Sequence, residues 1–174
     1  MKRSKKLLIN MCIIAALLLG FYYFGGYYIS KEQCMLEMLR SYYCNEREVA
    51  MEFENNNIIT TVVVDIEGKT FSALKVKKIG FLYQPTGSAY GQEISEEYKI
   101  SVNGHYTKGD GMEIFVYRND DTVERVEVTM EDSVIVLDEW ENNFVWFVKD
   151  TDGWKRGTYR AYNASNEIIE EMQY

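Results

Sequence analysis

Proline and histidine each occur once in 174 residues, and cysteine three times. A single Pro excludes a polyproline spacer. A single His excludes a His-rich metal centre and leaves any Ser-His-Asp or Cys-His machine with His105 alone. Three Cys without a Cys-x-x-Cys are too few for a disulfide scaffold and do not form a zinc ribbon or a thioredoxin-type site. Residues 1–31 contain no acid. The chain also lacks internal repeats and low-complexity tracts.

What remains is the composition of a folded chain: 47% hydrophobic, 14% aromatic and 26% charged. All 27 acids lie in 32–174 against 14 of the 19 bases, so that part carries a formal charge of −13. Such a surface repels phosphate backbones, and no nucleic-acid partner is expected. It suits plain solvation, or a cationic partner or divalent ions.

The longest apolar run is Leu7 to Ile29, 23 residues without a charge. As one helix it would reach roughly 35 Å, enough for a hydrocarbon core of about 30 Å. Four basic residues precede it and aromatic residues from Phe21 to Tyr28 close it, which predicts an uncleaved, single-pass signal-anchor with Met1 in the cytoplasm and Glu32–Tyr174 extracytoplasmic. The exit Phe24-Gly25-Gly26 does not fit a small-residue cleavage site, and the residues before Cys12 do not fit lipoprotein attachment. Expected segments are a basic tail (1–6), the anchor (7–29), a helix with antiparallel strands (30–84), a linker or long loop with a strand (85–111) and a β-sandwich module (112–174).

Met35, Met38, Leu39, Tyr42 and Tyr43 recur at helical spacing, with Ser30 as candidate N-cap. Cys34 and Cys44 stand ten residues apart on this stripe, about 15 Å along a helix, beyond the ~7 Å reach of a disulfide. Separate thiols are expected unless the helix breaks. After Cys44 the period changes to two. Val49–Phe53, Ile58–Ile66 and Phe71–Tyr83 (bent at Gly80) read as an antiparallel meander, giving an α+β unit. Pro85 to Gly91 is the candidate linker. Further strands are expected at 97–102, 112–117, 123–130, 134–140, 144–149, 157–162 and 167–172, spaced as in a small Ig-like sandwich. Phe144–Val148 is apolar on both faces and predicts a central strand, or one with a face against something else.

Chemistry is sparse. His105, in Asn103-Gly104-His105-Tyr106, reads as a loop residue. Gly87-Ser88-Ala89-Tyr90-Gly91 is not a G-x-S-x-G elbow. Asp150-Thr151-Asp152-Gly153 begins like a calcium loop, but Trp154 and Ala161 occupy ligand positions. Asn119, Asp120, Asp121 and Glu124 form a second oxygen-rich turn. No catalytic residue, metal ligand or cofactor is singled out. The remaining lead is aromatic: Trp140, Trp146, Trp154 and Tyr159 are the candidate binding patch, with the sandwich core as their competing destination.

Glu113-Ile114 through Val123–Val128, and Gly157 through Ile169, resemble the C-terminal β-sandwich of small membrane-anchored or lipoprotein-like extracytoplasmic proteins of Gram-positive bacteria with no assigned function. The second stretch is similar to that module's closing hairpin, with Asn163 in place of Asp and Asn166 in place of Gly. Asn tolerates left-handed geometry, so the hairpin is expected to survive. The resemblance implies no catalytic residues.

The expectation is therefore a single-span membrane protein with a mainly-β (α+β) exterior, acting as a non-enzymatic interaction or sensing module toward a protein partner at the cell surface. The alternatives are a cell-envelope hydrolase, or an inhibitor of one, using carboxylates the sequence does not identify, and a structural subunit whose span pairs with another membrane protein.

Overall fold

The computed structural model describes residues 2–40, 47–67, 69–108, 111–131 and 133–174. Its elements are α1 (Lys2–Phe24), α2 (Lys31–Arg40) and eleven strands: β1 (Arg47–Asn55), β2 (Ile58–Asp65), β3 (Thr70–Ile79), β4 (Leu82–Glu93), β5 (Ile100–Thr107), β6 (Gly111–Arg118), β7 (Arg125–Met130), β8 (Ser133–Leu137), β9 (Phe144–Lys149), β10 (Thr158–Tyr162) and β11 (Ile168–Gln173). The strands form three antiparallel sheets ordered β1-β2-β3-β4, β5-β6-β9 and β11-β10-β7-β8, here sheets 1, 2 and 3.

The predicted transmembrane anchor is overturned. The helix ends at Phe24 rather than running to Ile29. Gly26 takes a φ of +63°, a left-handed conformation outside the helix. Tyr28 then exchanges two 2.8 Å backbone hydrogen bonds with Tyr83, docking the chain on the edge of sheet 1. The apolar helical part, Leu7 to Phe24, spans only about 27 Å, short of a ~30 Å hydrocarbon core. Among the described residues, no helix is long and apolar enough to cross a membrane. Leu7, Ile13 and Leu17 are exposed, and no described residue of α1 enters a core.

The remaining layers follow from strand alternation. α2 starts at Ser30, whose hydroxyl accepts the Gln33 N–H at 3.1 Å. Glu32 in its first turn and Arg40 in its last complement the helix dipole. Its buried Cys34, Met35, Met38 and Leu39 cover one face of sheet 1 at Val63, Leu74 and Val76. The other face, through Met51, Val62, Phe71 and Ala73, packs on Phe115 and Phe144 of sheet 2. The opposite face of sheet 2, through Ile114, Val116 and Val145, packs on Val126, Val128 and Tyr159 of sheet 3. The order is thus helix, sheet, sheet, sheet, with sheet 2 buried on both faces. β9 has its two covered faces, but as an edge strand of its sheet.

Tight turns set the registers. Asn56 and Asn57, both at positive φ, close the β1–β2 hairpin as two central residues, the mirror-image turn that matches strand twist. Asn142 and Asn143 repeat this before β9. Asn166 holds a φ of 65° in the β10–β11 turn, where Asn163 Oδ1 accepts the Glu167 N–H at 2.9 Å. The Pro85–Gly91 stretch lies inside β4, and β5 joins the sandwich ahead of residue 112.

Cys34 is a free, fully buried thiol and Cys12 a free, exposed one. Cys44, with Tyr42 and Tyr43, lies outside the described residues. Burial pushes the Cys34 thiol up to about 11, so almost no thiolate exists near pH 8. In a Cys44→Ser background, a disulfide reagent at pH 8 is therefore expected to label Cys12 within minutes and Cys34 only on unfolding. Mass mapping of labelled peptides checks this, and equal labelling rates would contradict it.

Candidate functional site

The four predicted patch residues do not form one patch. Trp146 stacks face to face on Phe53 of β1, with ring centroids 3.8 Å apart, inside the layer between sheets 1 and 2. Tyr159 is fully buried on the other side of sheet 2, and burial raises its phenol above the ordinary tyrosine range. Trp154 is 41% exposed and meets Tyr174 edge-on at 5.5 Å, and Tyr174 in turn meets Tyr159. Trp140 sits apart, donating from Nε1 to the Glu124 carbonyl at 2.8 Å under the Arg118 guanidinium. Trp154 and Tyr159 thus share an aromatic cluster, from which Trp140 and Trp146 are separate.

In the oxygen-rich turn at 119–124, Asp120 and Asn119 are engaged within the chain. Asp120 pairs with Lys99 and accepts the Thr122 N–H and hydroxyl, interactions that hold its carboxyl well below the usual range. Asn119 donates to the Tyr98 carbonyl and to Ser101 Oγ. Among the described residues, no group of three or more His, Cys, Asp or Glu is placed to hold a metal ion.

Two features that the sequence reading missed stand out. The first is an ionic cluster in the apolar layer between sheets 1 and 2. On β3, Phe71, Ala73 and Lys75 share the face toward sheet 2, and on β6 Glu113 shares a face with Phe115. Lys75 is 3% exposed and Glu113 8%. Lys75 Nζ lies 2.8 Å from Glu113 Oε1, and His105 Nε2 lies 3.6 Å from Oε2. His105 is on β5, not in a loop, directly opposite Glu113 in the ladder. Gly104 before it has no room for a side chain: a Cβ would fall 2.6 Å from the Glu113 carbonyl oxygen. A cavity of about 180 Å³, bordered by Asn55, Asn56 and Thr60, opens onto Lys75 and Glu113. The legible signal was a charged residue amid the apolar inward positions of each of two strands.

The second feature is the free edge of sheet 3. β8 ends the sheet, and among the described residues no backbone hydrogen bond reaches it from outside its sheet. Ile135 and Leu137 point into the core, whereas Val134 and Val136 are 62% and 51% exposed. Edge strands β1 and β11 carry Glu48, Glu52 and Glu54, and Glu170 and Glu171; β8, Ser-Val-Ile-Val-Leu, has no charge. At its C-terminal end, exposed Asp138 and Glu139 join Glu124 around an open cavity of about 720 Å³. Among the described residues neither Asp138 nor Glu139 is in an ion pair. Glu131, at the other end, pairs with Lys155 at 2.9 Å, and that ammonium lowers its carboxyl.

With these features in place, comparison with known proteins adds no relative: no family model matches the chain, and neither a curated protein nor a solved structure matches it.

Proposed function

We propose that the protein is a non-enzymatic interaction module, and that β8 accepts an extended segment of a partner protein as an added strand. The observation that carries this reading is the chemistry of that edge. An edge strand presents a row of unpaired N–H and C=O groups, and folded proteins normally blunt it with charge, proline or a bulge. β1 and β11 follow that rule, and β8 breaks it with two exposed valines and no charge. Strand addition uses such features: backbone bonds supply affinity, and alternate side chains supply selectivity.

The test is binding of labelled, extended peptides of alternating Val and Thr to the full chain, read by fluorescence anisotropy. Val134→Lys with Val136→Lys is expected to abolish binding while the thermal midpoint stays within a few degrees, because both side chains are exposed. If no peptide of the panel binds, or the two lysines leave binding unchanged, the reading fails.

A further inference from the structure

Resting on that reading of β8, we infer that its occupant is an extended partner segment carrying Lys or Arg at the end that lies beside Asp138. The two ends of β8 differ electrostatically. At the N-terminal end the Glu131 carboxylate is already matched by Lys155. At the C-terminal end Asp138, Glu139 and Glu124 gather around one open cavity. Its cation, Arg125, is already engaged by Glu127 at 3.1 Å and by Asn166. An added strand that runs past Leu137 brings its terminal side chains into this uncompensated negative field, where basic groups are attracted and acidic ones repelled.

The same charges argue against a second copy of this chain as the occupant. Antiparallel pairing of two β8 strands about Ile135 sets Glu139 of one copy across from Glu131 of the other, whose Lys155 is already engaged, so no free cation meets Asp138 or Glu139. Like charges directly across a ladder are destabilising. The apolar centre of β8 supplies adhesion, and its acidic end supplies direction and choice of partner.

The experiment uses three labelled peptides with one Thr-Val-Thr-Val-Thr centre, ending in Lys-Lys, Gln-Gln or Glu-Glu, titrated into the full-length protein at 20 mM and 300 mM salt. The Lys-ended peptide is expected to bind roughly tenfold more tightly than the Glu-ended one at low salt, with most of the difference lost at high salt. Asp138→Lys with Glu139→Lys is expected to invert the order. Equal binding of all three peptides, still abolished by Val134→Lys with Val136→Lys, would overturn the charge inference and leave the docking edge intact. Absence of all binding would overturn the docking edge itself. Sedimentation showing a dimer that those two lysines dissociate would identify a second copy as the occupant and overturn the inference.

Discussion

Glu113→Ala is expected to destabilise the protein by about 3–5 kcal/mol, lowering the thermal midpoint by on the order of 10 °C. The reason is what the substitution leaves behind. Lys75 is almost wholly enclosed, and Glu113 is its ion-pair partner at 2.8 Å. Removing the carboxylate strands an ammonium between two apolar layers and takes the neighbouring acid from His105. Replacing both partners is a different experiment. Lys75→Met with Glu113→Leu leaves neither charge, and desolvation of the pair offsets most of its Coulombic gain. The double variant is expected within about 1 kcal/mol of the parent, so the coupling measured by the cycle is large even though the pair's net contribution is small. Urea unfolding of the parent, Lys75→Met, Glu113→Leu and the double variant, with Glu113→Ala beside them, checks this. A cost below about 1 kcal/mol for Glu113→Ala would mean that the pair is solvated.

This cluster also shows what was legible in the sequence and what was not. Period-two alternation located β2, and short apolar segments spaced between polar turns located β6, β7 and β9, whereas Phe71–Tyr83, expected as one bent strand, is β3, a turn at Gly80 and the start of β4. The α2 stripe was legible because it buries one face, and the Asn pairs announced their turns. Which face met which sheet was not legible, because alternation reports that a face is covered and is silent about what covers it. Lys75 lies 30 residues from His105 and 38 from Glu113, and the last two meet across a ladder, so no local pattern joins the three. Pro85 read as a linker signal because proline cannot donate to a ladder. It is accommodated because β4 is an edge strand whose register slips between its partners Lys75 and Val76, with a second irregularity between Phe71 and Ala73. The anchor prediction failed on the residues after Phe24, where absence of charge was taken as continuation of a helix, and Gly26 and the Tyr28–Tyr83 pairing redirect the chain. For the site, the exposed valines of β8 lie in a strand whose sequence looks like any half-buried strand. That it stands at the edge of its sheet is a property of the topology alone.

The second large effect is expected at Phe144, and it bears on whether the layers fold as one unit. Phe144 has no exposed surface, meets Phe71 of sheet 1 edge-on at 5.2 Å and packs on Tyr117 at 4.7 Å. Phe144→Ala is expected to cost about 3–5 kcal/mol, combining lost burial with a cavity that two rigid sheets cannot close. Sheet 2 has no solvent face: Ile114 and Val116 need sheet 3, and Phe115 and Phe144 need sheet 1. A sandwich of sheets 2 and 3 alone would expose Phe115, Phe144 and the Glu113 carboxylate on one side, so the meander and the sandwich should be lost together. Tryptophan fluorescence, which weights Trp146 in the first interlayer and Trp154 beside the second, and far-ultraviolet dichroism should therefore give coincident urea transitions in the parent, and both should shift to lower urea in Phe144→Ala. If the variant instead unfolds in two steps, with the early step quenching only Trp146, then sheet 1 is an independent unit resting on a self-sufficient sandwich, and the layer order alone does not make the fold cooperative.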